Sequence, residues 1–163
     1  MIHSHDALKL RYSFSDFLFY ICLLSVPVIT AVLAIYKNSV WWTIAFAGLF
    51  VSVTALILRF YCTRCPHYTR EGKTLTCIFF WGLPKFFKKR PGKLDAVDMV
   101  VTFGATALLL VFPLYWLLME PGLLIVYLLS LVGFGAAIYR HECKRCIYFE
   151  CPANRVPEAI KNP

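Results

Sequence analysis

The residue type in this chain whose number and spacing could support chemistry is cysteine. Cys62 and Cys65 form one C-x-x-C pair and Cys143 and Cys146 a second, each inside the pattern R-x-x-C-x-R-C at residues 59–65 and 140–146, an offset of 81 residues. A two-residue spacer lets one tight turn aim two thiolates at one ion, and two such turns complete a tetrahedral set of four sulfurs. The simplest site therefore joins Cys62, Cys65, Cys143 and Cys146. Cys77 and His67 follow the first pair, while Cys151 and His141 flank the second. This leaves a second arrangement open, in which Cys62, Cys65, Cys77 and His67 form one local site and Cys143, Cys146, Cys151 and His141 form another.

Both an iron–sulfur cluster and zinc accept such ligands. In a reducing compartment clustered cysteines bind metal or do redox chemistry rather than form structural disulfides. Arg64, Arg140, Lys144 and Arg145 would offset the negative charge of either thiolate site. For direct catalysis the candidates are His67 or His141 as acid or base, Glu142 or Glu150 as carboxylate, and a cysteine thiolate as nucleophile. No Ser/His/Asp arrangement, nucleotide-binding glycine loop or paired carboxylate motif accompanies them. His3 and His5 read as terminal residues outside the site, and Cys22 as a small apolar core residue of the first helix.

The elements that must position these residues are membrane helices. Of the 163 residues 60% are hydrophobic, with a mean hydropathy of +0.65, against an apolar share of about 45–50% in soluble domains. No charge interrupts residues 17–36, 40–58, 99–119 or 122–139. Each run approaches the ~20 residues that cross a ~30 Å hydrocarbon layer as helix. The first run is long for a secretory signal, and residues 30–34 make a poor cleavage site, so it is expected to remain as an uncleaved helix. The expected fold is an all-α integral membrane protein with four transmembrane helices in two antiparallel hairpins, a 2+2 internal repeat, with a cytoplasmic Cys-rich loop and tail.

Charge orients it. Of 17 Lys and Arg residues only Lys37 falls in the short connections, and the other 16 lie in the N-terminal segment, central loop and tail, which the positive-inside rule assigns to the cytoplasm. The division is an N-terminal segment with hairpin one (1–60), a cytoplasmic loop (61–98), hairpin two (99–139) and a cytoplasmic tail (140–163). The expected location is the plasma (inner) membrane with both termini inside. Topology accounts for the net charge of +8, so nucleic acid is not an expected partner. The absence of ionisable groups within the runs argues against a pump or channel, and Thr54, Thr102, Thr106 and Ser130 are expected to bond backbone or neighbouring helices.

Local signals refine this outline. Ser13 and Asp16 suit a capped helix start, and Asp95 and Asp98 suit the positive end of helix three. Pro27 and Pro113 each sit within the first helix of a hairpin and permit a kink. Trp41, Trp42, Tyr115 and Trp116 form an outer aromatic belt. The aromatic and basic segment 78–90 is expected to lie on the inner surface.

Cysteine-proline steps occur at Cys65-Pro66 and Cys151-Pro152. In this feature and in its predicted helices the chain resembles, as an architectural analogy, the membrane quinol-dehydrogenase subunits of nitrate and nitrous oxide reduction. Their spacing is C-x3-C-P, whereas here it is Cys62-x2-Cys65-Pro66 and Cys146-x4-Cys151-Pro152. The resemblance implies electron transfer. The expected function is a small metal-binding membrane subunit, an iron–sulfur electron-transfer or redox-complex partner at the cytoplasmic face. It would work with the lipid bilayer, a larger membrane or cytoplasmic protein, and quinone. The alternatives are a zinc-ordered docking or assembly module and a membrane enzyme acting on a lipid or thiol at the inner interface. Thiol labelling of intact cells checks the orientation. A protein keeping only the cysteine at position 77 should resist an impermeant reagent from outside, and ready modification there would overturn the assignment.

Overall fold

The computed structural model describes residues 8–90, 92–151 and 153–161. His3, His5 and Pro152 lie outside them. The described chain is helical, with no strands and only two isolated bridges. Its elements are α1 (Phe14–Tyr36), α2 (Val40–Leu56), α3 (Pro66–Thr69), α4 (Ala96–Val111), α5 (Leu114–Leu117), α6 (Pro121–Ala137) and α7 (Glu158–Lys161). A π-helical turn, Ile57–Tyr61, and a 3-10 turn, Cys62–Arg64, extend α2, and a second π-helical turn, Ile138–Glu142, extends α6. Four continuous helical stretches are long and apolar enough to cross a membrane: Phe14–Tyr36, Val40–Arg64, Ala96–Leu117 and Pro121–Glu142.

α1 packs against α2 and α6, α2 packs against α4, and α5 touches α1 and α6. Burial within this bundle is uneven: α1 buries Ala31, Ala34 and Ile35 among others, whereas α2 buries Phe46 and Val53 and α6 Tyr127. Large apolar groups such as Val51, Val100, Leu129 and Val132 face outward. Such a surface suits hydrocarbon, where helices satisfy their own backbone groups. The hydroxyls follow the same constraint, since Thr54, Thr106 and Ser130 donate to Phe50, Thr102 and Tyr127 carbonyls at 2.7–2.8 Å. Thr102 is buried and its own Oγ1 has no partner among the described residues.

The helix starts and breaks have local causes. Ser13 and Asp16 form a reciprocal capping box. The two prolines are not equivalent. α1 runs through Pro27 without interruption, whereas Pro113 separates α4 from α5. In the opened turn the Leu110 carbonyl instead accepts the Tyr127 hydroxyl at 2.9 Å, the kind of substitute bond a membrane helix needs where proline removes a donor. At that end Trp116 is only 8% exposed and belongs to the core with Ile35, Phe46 and Leu117. Trp41 and Tyr115 remain outside. Lys37 and Glu120 pair at 3.1 Å between the two short connections.

At the opposite end the N-terminal segment, central loop and tail fold onto one another. The segment from Lys73 to Lys85 turns back on itself at Gly82, where φ is +77°, through Leu75 N–H to Leu83 O and Gly82 N–H to Leu75 O, both 2.8 Å. Its rings pack inward in part, because Phe80, Leu83 and Phe87 meet Leu58 and Tyr68. Asp95 occupies the cap position of α4, yet its side chain makes no cap bond. Both Asp95 and Asp98 pair instead with Arg64, and Arg90 reaches Asp98 at 3.6 Å. Asp98 is 2% exposed, so this pair joins the first cysteine motif to α4 in a dry setting. Asp98→Ala should destabilise the purified protein by up to about 3–5 kcal/mol, because Arg64 loses its buried partner and keeps only the exposed Asp95 carboxylate. Lys37→Ala, at an exposed pair, should cost under about 1 kcal/mol. Thermal unfolding in detergent checks the contrast, and equal effects would contradict it.

Candidate functional site

Both cysteine motifs emerge from the bundle in the same way. The π turns open at Ile57 and Ile138, 81 residues apart. In each, the first cysteine closes the wide turn, with Cys62 N–H bonded to Ile57 O and Cys143 N–H to Ile138 O. A π turn inserts an extra residue into the helical register and recurs at functional sites. Beyond it the two paths diverge. Cys65 N–H bonds to Cys62 O at 2.9 Å and Pro66 opens α3. The tail is closed by Asn154, whose side-chain amide donates to Cys146 O at 2.9 Å and Tyr148 O at 3.0 Å.

The N-terminal segment brings these loops together. Lys9 N–H donates to Arg145 O at 2.8 Å, and Tyr12 N–H reaches Thr76 O at 3.4 Å. The Trp81 indole donates to Tyr12 O at 3.2 Å. Residues 9–12 therefore join the chain beside Cys77 to the chain beside Cys146. Tyr12 is buried between them and lies in the field of Glu142, Cys146 and Cys77.

Six free thiols lie in the loops and helix ends on this side of the bundle. Cys65 lies within electrostatic reach of Cys77, Cys146 and Cys151, Cys146 within reach of Cys151, Cys143 and Cys77, and Cys62 within reach of Cys77 and Cys65. Burial pushes the Cys65 and Cys77 thiols up, raises Cys143, and takes Cys146 to about 11. Backbone amides oppose the rise at three of these sulfurs: His67 N–H at Cys65, Phe79, Ile78 and Phe80 N–H at Cys77, and Tyr148 N–H at Cys146. The last is a 3.5 Å N–H···S contact. Charge-assisted bonds of this kind stabilise a thiolate.

The histidines differ sharply. His141 is exposed. His67 is 3% exposed, and neither ring nitrogen has a hydrogen-bond partner among the described residues. Burial, with the Arg70 charge, lowers its pKa to about 4 and keeps it neutral. Cys151 Sγ lies 3.1 Å from the Tyr61 hydroxyl. Glu142 accepts from the Tyr20 hydroxyl at 3.0 Å, and Glu150 pairs with Lys93 at 3.6 Å. Cys22 lies in α1 and is exposed on the outer face of the bundle rather than in its core, as an apolar thiol suits a lipid-facing position. A cleft of 340 Å³ opens between the two motifs, lined by Arg64, Pro66, Lys93, Tyr148 and Glu150.

Among the described residues no three His, Cys, Asp or Glu side chains converge closely enough to hold a metal ion as placed. Tyr12, Tyr61 and Asn154 were absent from the sequence-derived candidates. The alternation of apolar and polar residues at 8–12 was the available signal for an extended, half-buried segment. Comparison with family models, curated proteins and solved structures found no match. In a protein retaining only Cys65 and Cys146, a short bifunctional thiol reagent should join the two within one chain. A pair at 62 and 143, which have no such mutual reach, should react less. The reverse order on a gel after cleavage between the motifs would contradict this arrangement.

Proposed function

We propose that this chain is a small metal-binding membrane subunit that holds a thiolate-ligated iron–sulfur centre at its cytoplasmic end and exchanges electrons with a larger membrane or cytoplasmic partner, or with quinone. In this reading the helices form two antiparallel hairpins of a 2+2 repeat in the plasma membrane, with both termini inside. The matched π turns before Cys62 and Cys143 support the repeat.

The observation that carries the reading is that free thiols from both motifs lie at one end of the bundle within electrostatic reach of one another, with the Tyr148 amide on the Cys146 sulfur. Hydrogen bonds to sulfur and burial are the means by which a protein tunes a cluster. Thiol exchange is the poorer fit, because burial keeps these cysteines protonated and a protonated thiol is a weak nucleophile.

Protein purified from membranes without oxygen should contain iron and sulfide, and should absorb broadly near roughly 400 nm with bleaching on reduction. Cys65→Ser with Cys146→Ser should remove both the metal and the colour, while Cys22→Ser should change neither. Stoichiometric zinc without iron would replace this reading with the docking module. No metal at all would leave the thiol or lipid enzyme.

A further inference from the structure

We propose that the cleft beside α3, bounded by Arg70, Lys85 and Lys89, binds the phosphate headgroup of an anionic phospholipid in the leaflet on the side where the cysteine motifs emerge. This is independent of the metal-centre reading and uses none of its residues.

The first support is positive charge without a counter-ion. The cleft has a volume of 380 Å³, with residues 68–72 along one side and Lys85, Phe87 and Lys89 along the other, a size within the range of small-ligand sites. Among the described residues none of its three cations forms an ion pair, and Glu71 at the rim is exposed and pairs with none of them. The cleft between the cysteine motifs differs, because its cations are already engaged: Arg64 pairs with Asp95 and Asp98, and Lys93 with Glu150. The Lys85 ammonium donates to the Arg70 carbonyl, and one Arg70 guanidinium nitrogen donates to the Leu10 carbonyl. An ammonium carries three donors and a guanidinium five, so both side chains are held in place and keep donors for an anion. Burial, with the Lys89 charge, lowers the Lys85 pKa. A phosphate between the two lysines would act in the opposite direction.

The second support is depth. The Tyr68 hydroxyl donates to Phe87 O at 2.7 Å and accepts from Phe87 N–H at 2.8 Å, which fixes one wall of the cleft to the other. Tyr68 packs with Leu58, and the Arg59 guanidinium lies 5.4 Å from the Phe87 ring. Leu58 and Arg59 both belong to the apolar span Val40–Arg64. The cleft therefore adjoins the end of a membrane helix, where phospholipid headgroups lie. Phe86, between two of the lining residues, is 69% exposed. An exposed ring within a basic run suits the boundary between headgroups and acyl chains, and basic pockets at that depth hold anionic headgroups. Position and Phe86 together favour a lipid over a soluble phosphate.

Titration of a fluorescent short-chain phosphatidylglycerol into the full-length protein, held in an uncharged detergent, tests this. The lipid should bind more tightly than phosphatidylcholine with the same chains, and added salt should weaken it. Lys85→Gln with Lys89→Gln should weaken binding about 20- to 30-fold, at roughly fivefold per charge. Lys85→Arg with Lys89→Arg should bind nearly as well as the unmodified protein, which separates lost charge from lost folding. Lys88→Gln, at an exposed neighbour outside the cleft lining, should barely change the affinity. Equal affinity for the two lipids would overturn the proposal, as would a loss in Lys88→Gln equal to that in Lys89→Gln, or a loss in the arginine pair equal to that in the glutamine pair. Displacement of the lipid by an equal concentration of inorganic phosphate would overturn the lipid assignment in favour of a free phosphate.

Discussion

Hydrocarbon solvates neither charge nor an open backbone, and this exclusion governs the arrangement of the whole chain. It leaves the four spans almost free of ionisable groups and sends the polar chemistry to their ends. Little is buried between α2 and its neighbours because lipid replaces a protein core there. Dense packing is found around Ala34, Ile35 and Leu117 of the bundle and again at the end where the N-terminal segment, central loop and tail meet, with Tyr12, Tyr68, Leu75, Ile78 and Tyr148 all buried. A shell is needed at that end because the loops have no regular sheet or long helix of their own. It is assembled from single backbone bonds, such as Lys9 to Arg145 and Arg90 to Thr63, and from the Arg64 pairing with Asp98.

That shell encloses groups that are costly to bury. Cys65, Cys77 and Cys146 lose hydration in both protonation states, and the His67 nitrogens lose it without compensation. A fold selected only for stability would place apolar residues there, since unsatisfied polar groups cost about 1–3 kcal/mol each. The Tyr148 amide on the Cys146 sulfur works against this cost, because an N–H donor favours thiolate, which burial alone opposes.

The features legible in the sequence were those with local causes. The capping box at Ser13 and Asp16 involves residues three apart, and the four apolar stretches were visible from charge alone. Pro27 and Pro113 looked alike, but whether a helix survives proline depends on substitute bonds, and the Tyr127 hydroxyl that serves the broken turn comes from another helix. Asp95 and Asp98 read as partners of a helix dipole. Arg64, some thirty positions earlier, takes them instead, and no local pattern announces such a pair. The repeated arginines also diverge, for Arg64 is tied down whereas Arg145, its counterpart, is exposed. The cysteines were identifiable as a set, but their grouping depended on Tyr12 and the segment around it, whose role appears only once the chain is folded.

The burial that weakens these thiols for exchange suits electron transfer. Exchange requires a thiolate that an incoming disulfide can reach, whereas an electron requires only a carrier brought close. Tyr148 lines the cleft between the motifs and also lies in the field of Cys65 and Cys151, so these thiols are near that surface. Lys93 and Glu150, paired at 3.6 Å, belong to the central loop and the tail respectively. Both are exposed at the cleft, and a partner docking there would meet both halves of the chain at once. A docked surface that excludes water would strengthen each charge interaction at the rim. The two motifs would then serve one centre and one docking face, a sufficient reason for both to emerge at the same end of the bundle.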